Sequence, residues 1–210
     1  MMTAPKVMLG KQQVWQWLAM TIFTVNLDPV ITLTDEQYYQ LCCSNPDLKF
    51  ERTAGGSLVI MAPTGGETGN RNGRIIQQLF NWSDSNELGV VFDSSTGFRL
   101  PNGADRSPDA AWVPLEKWQA LTPEQRERFV PLCPDFVIEL LSPSDNLKTV
   151  QQKMAEYIAN GARLGWLLNR QCRTVEVYRP DQPMILLQQP TQLSGEAVLP
   201  GFQLQLSRIW

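Results

Sequence analysis

Phe136-Val137-Ile138-Glu139-Leu140-Leu141 is the stretch on which the fold of this chain turns. Pro134-Asp135 opens it and Ser142-Pro143 closes it, so the run reads as a buried strand bounded by turn residues. A carboxylate in the middle of such a strand costs on the order of several kcal/mol if it stays charged and unpaired. Glu139 therefore calls for a cation, a basic partner or a proton. On the N-terminal side, Arg106-Ser107-Pro108-Asp109 leads into Ala110-Ala111-Trp112-Val113, a second apolar strand headed by an acid. On the C-terminal side, Ser144-Asp145 leads into a helix over about 146–160 that Gly161 ends. Leu147, Val150, Met154, Tyr157 and Ile158 form its apolar stripe, and Lys153 lies at the stripe's edge, where it can reach a sheet end.

Further out, Thr34-Asp35-Glu36-Gln37 is a capping box that starts a short helix to about Cys43. Leu48–Arg52 and Leu58–Met61 read as a hairpin turned by Ala54-Gly55-Gly56. A helix follows over about 67–85, with Ile75, Ile76, Leu79, Phe80 and Trp82 on its apolar side. Short strands are expected at Gly89–Phe92 and Thr96–Leu100, and a brief helix at Thr122-Pro123-Glu124. Strands at Arg163–Leu168, Thr174–Tyr178, Met184–Gln188 and Gln203–Leu206 complete the chain. This order predicts an α/β (α+β) domain with a mixed central sheet flanked by helices. Residues 29–210 read as one domain, and residues 1–28 as a loose N-terminal arm with little periodic pattern.

With 210 residues, 43% of them hydrophobic, the chain can bury a core without disulfides. It has no histidine, which removes Ser-His-Asp and Cys-His catalysis and histidine-containing zinc sites. Proton transfer falls to carboxylates, Lys, Tyr, Cys or water activated by a metal. Cys42, Cys43, Cys133 and Cys172 contain no Cys-x-x-Cys pair and read as reduced cysteines of a cytoplasmic protein. No apolar stretch is long enough to span a bilayer, so no membrane partner is expected. The net charge of −3 argues against a basic surface over the whole chain but allows a local basic groove.

Asp135 and Glu139 share a strand face but stand about 13 Å apart along it, too far for one ion. Asp109 comes from another strand and can lie beside Glu139; an acid ahead of a strand is also an ordinary turn residue. Lys148, on the opposite flank of the helix, is the alternative to Lys153, and a solvated lysine paired with Glu156 is the plainer reading. Glu51, between Phe50 and Arg52, is a third acid or a cross-strand charge of the hairpin. Gly65 to Arg74 is Gly-rich without the Gly-Lys-Ser/Thr of a P-loop; Arg71 and Arg74 at this helix start are candidates for holding a phosphate, against a plain surface loop. Trp82, Trp112 and Trp166 read as core.

Arg106-Ser107-Pro108-Asp109, then Pro134 to Asp145, then Lys153-Met154 and Tyr157-Ile158-Ala159-Asn160-Gly161 resemble the Uma-type family of restriction-endonuclease-like proteins, in the PD-(D/E)XK nuclease-like superfamily. The resemblance runs from about Asp28 to Trp210 and takes in Pro63-Thr64-Gly65-Gly66-Glu67 and Leu199-Pro200-Gly201-Phe202. It implies a restriction-endonuclease-like fold and hydrolysis of DNA phosphodiesters with Mg²⁺ or Mn²⁺. Asp109 and Glu139 match the metal-binding acids, Glu51 the family's early glutamate, and Lys153 the lysine supplied from the following helix. The superfamily's usual lysine position, two places after the second acid, is Leu141 here. That departure motivates the alternative, a catalytically weak or inactive nucleic-acid-binding or regulatory module on the same fold. Cutting both strands commonly takes two sites, which makes a homodimer compatible with the first reading.

Overall fold

The structure is a computed structural model and describes residues 22–210. The elements run β1 (Phe23–Val25), α1 (Asp35–Ser44), β2 (Lys49–Arg52), β3 (Leu58–Met61), α2 (Gly66–Asn86), β4 (Gly89–Asp93), β5 (Phe98–Arg99), β6 (Asp105–Arg106) and β7 (Ala110–Pro114). They continue with α3 (Leu115–Gln119), α4 (Pro123–Glu127), β8 (Phe136–Leu141), α5 (Leu147–Ala159), β9 (Leu164–Asn169), β10 (Thr174–Tyr178), β11 (Ile185–Gln188), β12 (Gln192–Ser194) and β13 (Gln203–Gln205). No helix among the described residues is long and apolar enough to cross a membrane.

The central sheet has the order β11-β10-β9-β8-β7-β4. Its pairs are antiparallel except β8–β9, which α5 connects in parallel, so the sheet is mixed as expected. Alternation along β8 divides the core. Phe136, Ile138 and Leu140 pack on one face with Ile75 and Leu79 of α2, Trp166, and Phe202 and Leu204 of the C-terminal segment. Val137 packs on the other with Met154 and Tyr157 of α5, Leu167, and Phe98. Both faces are covered, which is why β8 reads as a continuous apolar run. Glu139 has the parity of Val137, and this directs it to the α5 side.

Three features depart from the sequence reading. A second, five-stranded sheet of order β1-β3-β2-β6-β5 stands beside the central one, and β12 and β13 form a separate ribbon. Phe23–Val25, within the stretch read as a loose arm, pair with Leu58–Ile60 as an edge strand, while residues 1–21 lie outside those described. The short elements β6, α3 and β12 were not foreseen. A charged network holds β6: Asp105 accepts from Arg52 Nε and from Arg99 Nε, each at 2.8 Å, and Asp35 at the start of α1 accepts from Arg52 at 2.7 Å. The helix that supplies Asp35 is opened by the foreseen capping box, Gln37 N–H donating to Thr34 Oγ1 and Thr34 N–H to Gln37 Oε1.

Gly89, at the start of β4, is required by packing: a Cβ there would stand 2.4 Å from the Val113 carbonyl oxygen and from the Trp112 ring. Backbone cannot yield as a flexible side chain can. Gly89→Ala is therefore expected to destabilise the protein by about 1–3 kcal/mol, the usual cost of overpacking, measured by urea denaturation.

Candidate active site

The loops after β3 and β8, the start of α2, one side of α5 and the open face of β2 enclose a cleft of about 1310 Å³. Asp109, Glu139, Lys153 and Glu51, the four residues singled out from the sequence, all line it. Their delivery follows from the elements. The β7–β8 ladder pairs Ala110 with Ile138, so one step further Asp109 stands across from Glu139. Glu51 comes from β2 in the neighbouring sheet, and Lys153 from the second turn of α5.

Lys153 Nζ lies 2.8 Å from Glu51 Oε1 and 2.8 Å from Glu139 Oε1, joining the two sheets through one ammonium. Glu139 Oε1 also accepts from the Tyr157 hydroxyl at 3.1 Å. Glu51 is fixed from its other side by Arg106 Nη1 at 3.1 Å and the Ser107 amide at 3.0 Å. Arg106 in turn donates to Glu156 Oε2 at 2.6 Å. Asp109 is held by the Leu140 amide at 2.8 Å and by Asn72 Nδ2 at 2.8 Å. That amide belongs to the residue after Glu139, so the backbone of one acid's strand clamps the other acid.

Burial pushes the Glu139 carboxyl up to about 7, and the neighbouring charges of Asp109 and Glu51 add to it, while Lys153 pulls the other way. Burial likewise raises Asp109 against the Leu140 amide and the charge of Lys153. Glu51 behaves differently: burial opposes its charge, but Lys153 and Arg106 outweigh it and hold the carboxyl below its ordinary value. Lys153 is also buried, yet Glu139 and Glu51 keep its ammonium charged beyond its usual range. The site thus contains a committed anion–cation pair, Glu51 with Lys153, and two further acids whose ionisation a positive charge would favour.

A hard divalent cation is the charge that fits. Among the described residues there is no group of three or more acidic or cysteine ligands for an ion. Magnesium, however, is commonly held by only one or two carboxylates with water completing the shell. Glu139 Oε2 accepts no hydrogen bond among the described residues. Asn72 Oδ1, beside Asp109, is a buried acceptor without a donor. An orphaned acceptor next to Asp109 suits a cation or its water, and suits a basic side chain less, since Lys153 already bridges Glu51 and Glu139.

The family model for Uma2, described as "Putative restriction endonuclease", matches residues 35–207. The chain belongs to the Uma2 family. Among solved structures, a putative nuclease belonging to DUF820 from Anabaena variabilis ATCC 29413 is similar with a TM-score of 0.64. It is 18% identical, over 76% of this chain and 88% of that one, and at that identity the likeness speaks for the shared fold. No curated protein matches the chain. The Uma2 assignment puts the fold in the restriction-endonuclease-like class and the chain in a family of nucleases.

The residues set aside in the sequence also find places. Asp135 is buried at the far end of β8, paired with Lys117 at 2.7 Å and Arg163 at 3.7 Å. Lys148 is exposed and does not line the cleft. The Gly-rich stretch is the first turns of α2 and not a loop. Arg71 and Arg74 do not line the cleft; Arg71 donates to the Ile209 carbonyl at 2.9 Å and pairs with Glu67. Three residues were missed. Tyr157 read as core stripe, Arg106 only as part of a motif, and Asn72 not at all. Helical spacing held the signal for Asn72, because Gly65, Gly69, Asn72, Gly73 and Ile76 recur on one side of α2 and all face the cleft.

Proposed function

We propose that this Uma2 protein is a metal-dependent endonuclease that hydrolyses DNA phosphodiesters, with Asp109 and Glu139 holding Mg²⁺ or Mn²⁺. The observation that supports it most is the single ammonium of Lys153 held by two acids from different sheets beside a backbone-clamped Asp109. When bound, the metal supplies Lewis acidity at the phosphate and lowers the pKa of water. Asn72 fixes the Asp109 carboxylate through Nδ2 and offers Oδ1 as a further acceptor. Lys153 has three N–H donors, of which Glu51 and Glu139 engage two. The third remains to orient attacking water or to offset charge developing on a phosphate oxygen. Glu51, braced by Arg106 and Ser107, positions Lys153 and keeps it charged. The departure at Leu141 is compatible with this reading, since the amine of Lys153 on α5 reaches Glu139. On this reading, β1 through β13 act as one nuclease domain, in the cytoplasm, with a homodimer for double-strand cutting.

Supercoiled plasmid incubated with the protein and Mn²⁺ at low salt is expected to become nicked and then linear, and EDTA to stop it. Tight DNA binding with no strand breaks in either metal would favour the binding module instead.

A further inference from the structure

The cleft is acid-rich. Eight carboxylate side chains line it against four cationic ones, Lys49, Arg106, Lys153 and Arg170. A polyanion entering such a space needs cations that are not already engaged. Lys153 and Arg106 are engaged, each by two acids. The other two differ. Lys49 opens β2, two residues before Glu51 and on the same strand face. Among the described residues it has no carboxylate within ion-pair distance, and its charge is felt at Asp109. Arg170 directly follows Asn169, which pairs with Leu141 at the end of the β8–β9 ladder, so it stands at the Glu139 end of the central sheet. Its side chain is only 19% exposed, and its Nη1 is buried with no hydrogen-bond partner among the described residues. The nearest carboxylate, Glu67 at 3.9 Å, is largely exposed and already paired with Arg71. A guanidinium mostly removed from water with an N–H left over is costly unless something outside the chain accepts from it.

The wall beside these cations is bare. Gly65, Gly66, Gly69 and Gly73 of α2 and its N-cap line the same cleft. At Gly65, Gly66 and Gly73 a Cβ would meet nothing within 4 Å, and at Gly69 only the Thr64 methyl at 3.8 Å. Packing within the chain does not require glycine there, and glycine inside a helix weakens it. The missing side chains leave room for a ligand backbone to run close to α2.

We propose that Lys49 and Arg170, one from each sheet, bind backbone phosphates of the nucleic acid that the cleft takes, an inference that rests on the nuclease reading of the same cleft. The two side chains would hold the strand along the bare side of α2, with Arg170 suited to fork-like contact with one phosphate and Lys49 acting as a point charge.

Binding of a fluorescein-labelled DNA duplex, followed by anisotropy in Ca²⁺ over a range of salt, tests this. Arg170→Ala and Lys49→Ala are each expected to flatten the slope of log K against log salt by about one unit, and together by about two. Arg208→Ala, an exposed cation outside the cleft, should leave the slope alone, and Arg170→Lys should restore most of it. Should an alanine form melt early, Arg170→Gln and Lys49→Gln replace it. Unchanged slopes in both variants, with wild type binding and nicking normally, overturn the proposal and leave the nuclease reading standing. Weaker binding at every salt with the slope intact assigns the residues a structural part and overturns it too. If the wild type binds neither duplex, single strand nor RNA in a salt-dependent way, both readings fall.

Discussion

Lys153→Ala is expected to lower the free energy of unfolding by about 3–5 kcal/mol, the cost of stripping one partner from a buried ion pair. Typical domains have only about 5–15 kcal/mol in total, so the variant should be close to the limit of folding. The size follows from geometry. The Lys153 side chain is 15% exposed and its ammonium sits 2.8 Å from both Glu51 and Glu139, whose side chains are 4% and 10% exposed. Removing it leaves two carboxylates from different sheets facing each other with little water. Part of the cost can be relieved if Glu139 takes a proton, since burial already pushes its carboxyl up to about 7. Urea denaturation reads the effect. A change below about 1 kcal/mol, the range of surface ion pairs, would show that solvent screens the cluster and that the two sheets do not depend on it.

Glu139→Gln separates chemistry from folding. The amide keeps the shape of the side chain and an acceptor for Tyr157 and Lys153 while removing the charge that would hold a cation. Lys153 keeps Glu51, so the fold should survive with a melting temperature near that of the wild type. Nicking in Mn²⁺ should fall by about three orders of magnitude, corresponding to about 4 kcal/mol of transition-state stabilisation. Wild-type nicking by this variant would place hydrolysis elsewhere in the molecule. The Mn²⁺-induced rise in thermal stability expected of the wild type should vanish with it, an independent readout that needs no substrate.

Much of this was legible in the sequence because apolar pattern reports burial directly. The run around Glu139, the α5 stripe, the Thr34 capping box and the helix start at Thr122-Pro123 appear in the structure where the pattern put them. Charged residues carry no such signal. Glu51, Arg52 and Asp105 are at most 5% exposed, yet in sequence they look like the solvent side of a hairpin and a turn. The five-stranded sheet is held partly by their ion pairs, so its strand β6, two residues long, left no periodicity to read, while β5 lies within the strand expected at Thr96–Leu100. Tyr157 shows the converse. Its spacing marks it as core, and it is core, but the hydroxyl at the end of the ring reaches Glu139. Periodicity locates a side chain; it does not say which of its atoms works.

The ammonium shared between the sheets has a bearing on how such a protein can lose its activity over time. A rivet that also serves the chemistry cannot be pulled out by a single change, because the framework loosens with it. A lineage drifting toward a purely binding role would have to neutralise Glu51 and Glu139 before or together with Lys153, exchanging the whole polar knot for greasy side chains of like volume. Copies that keep all three positions are under pressure from folding as well as from hydrolysis, and their persistence alone does not certify a working blade.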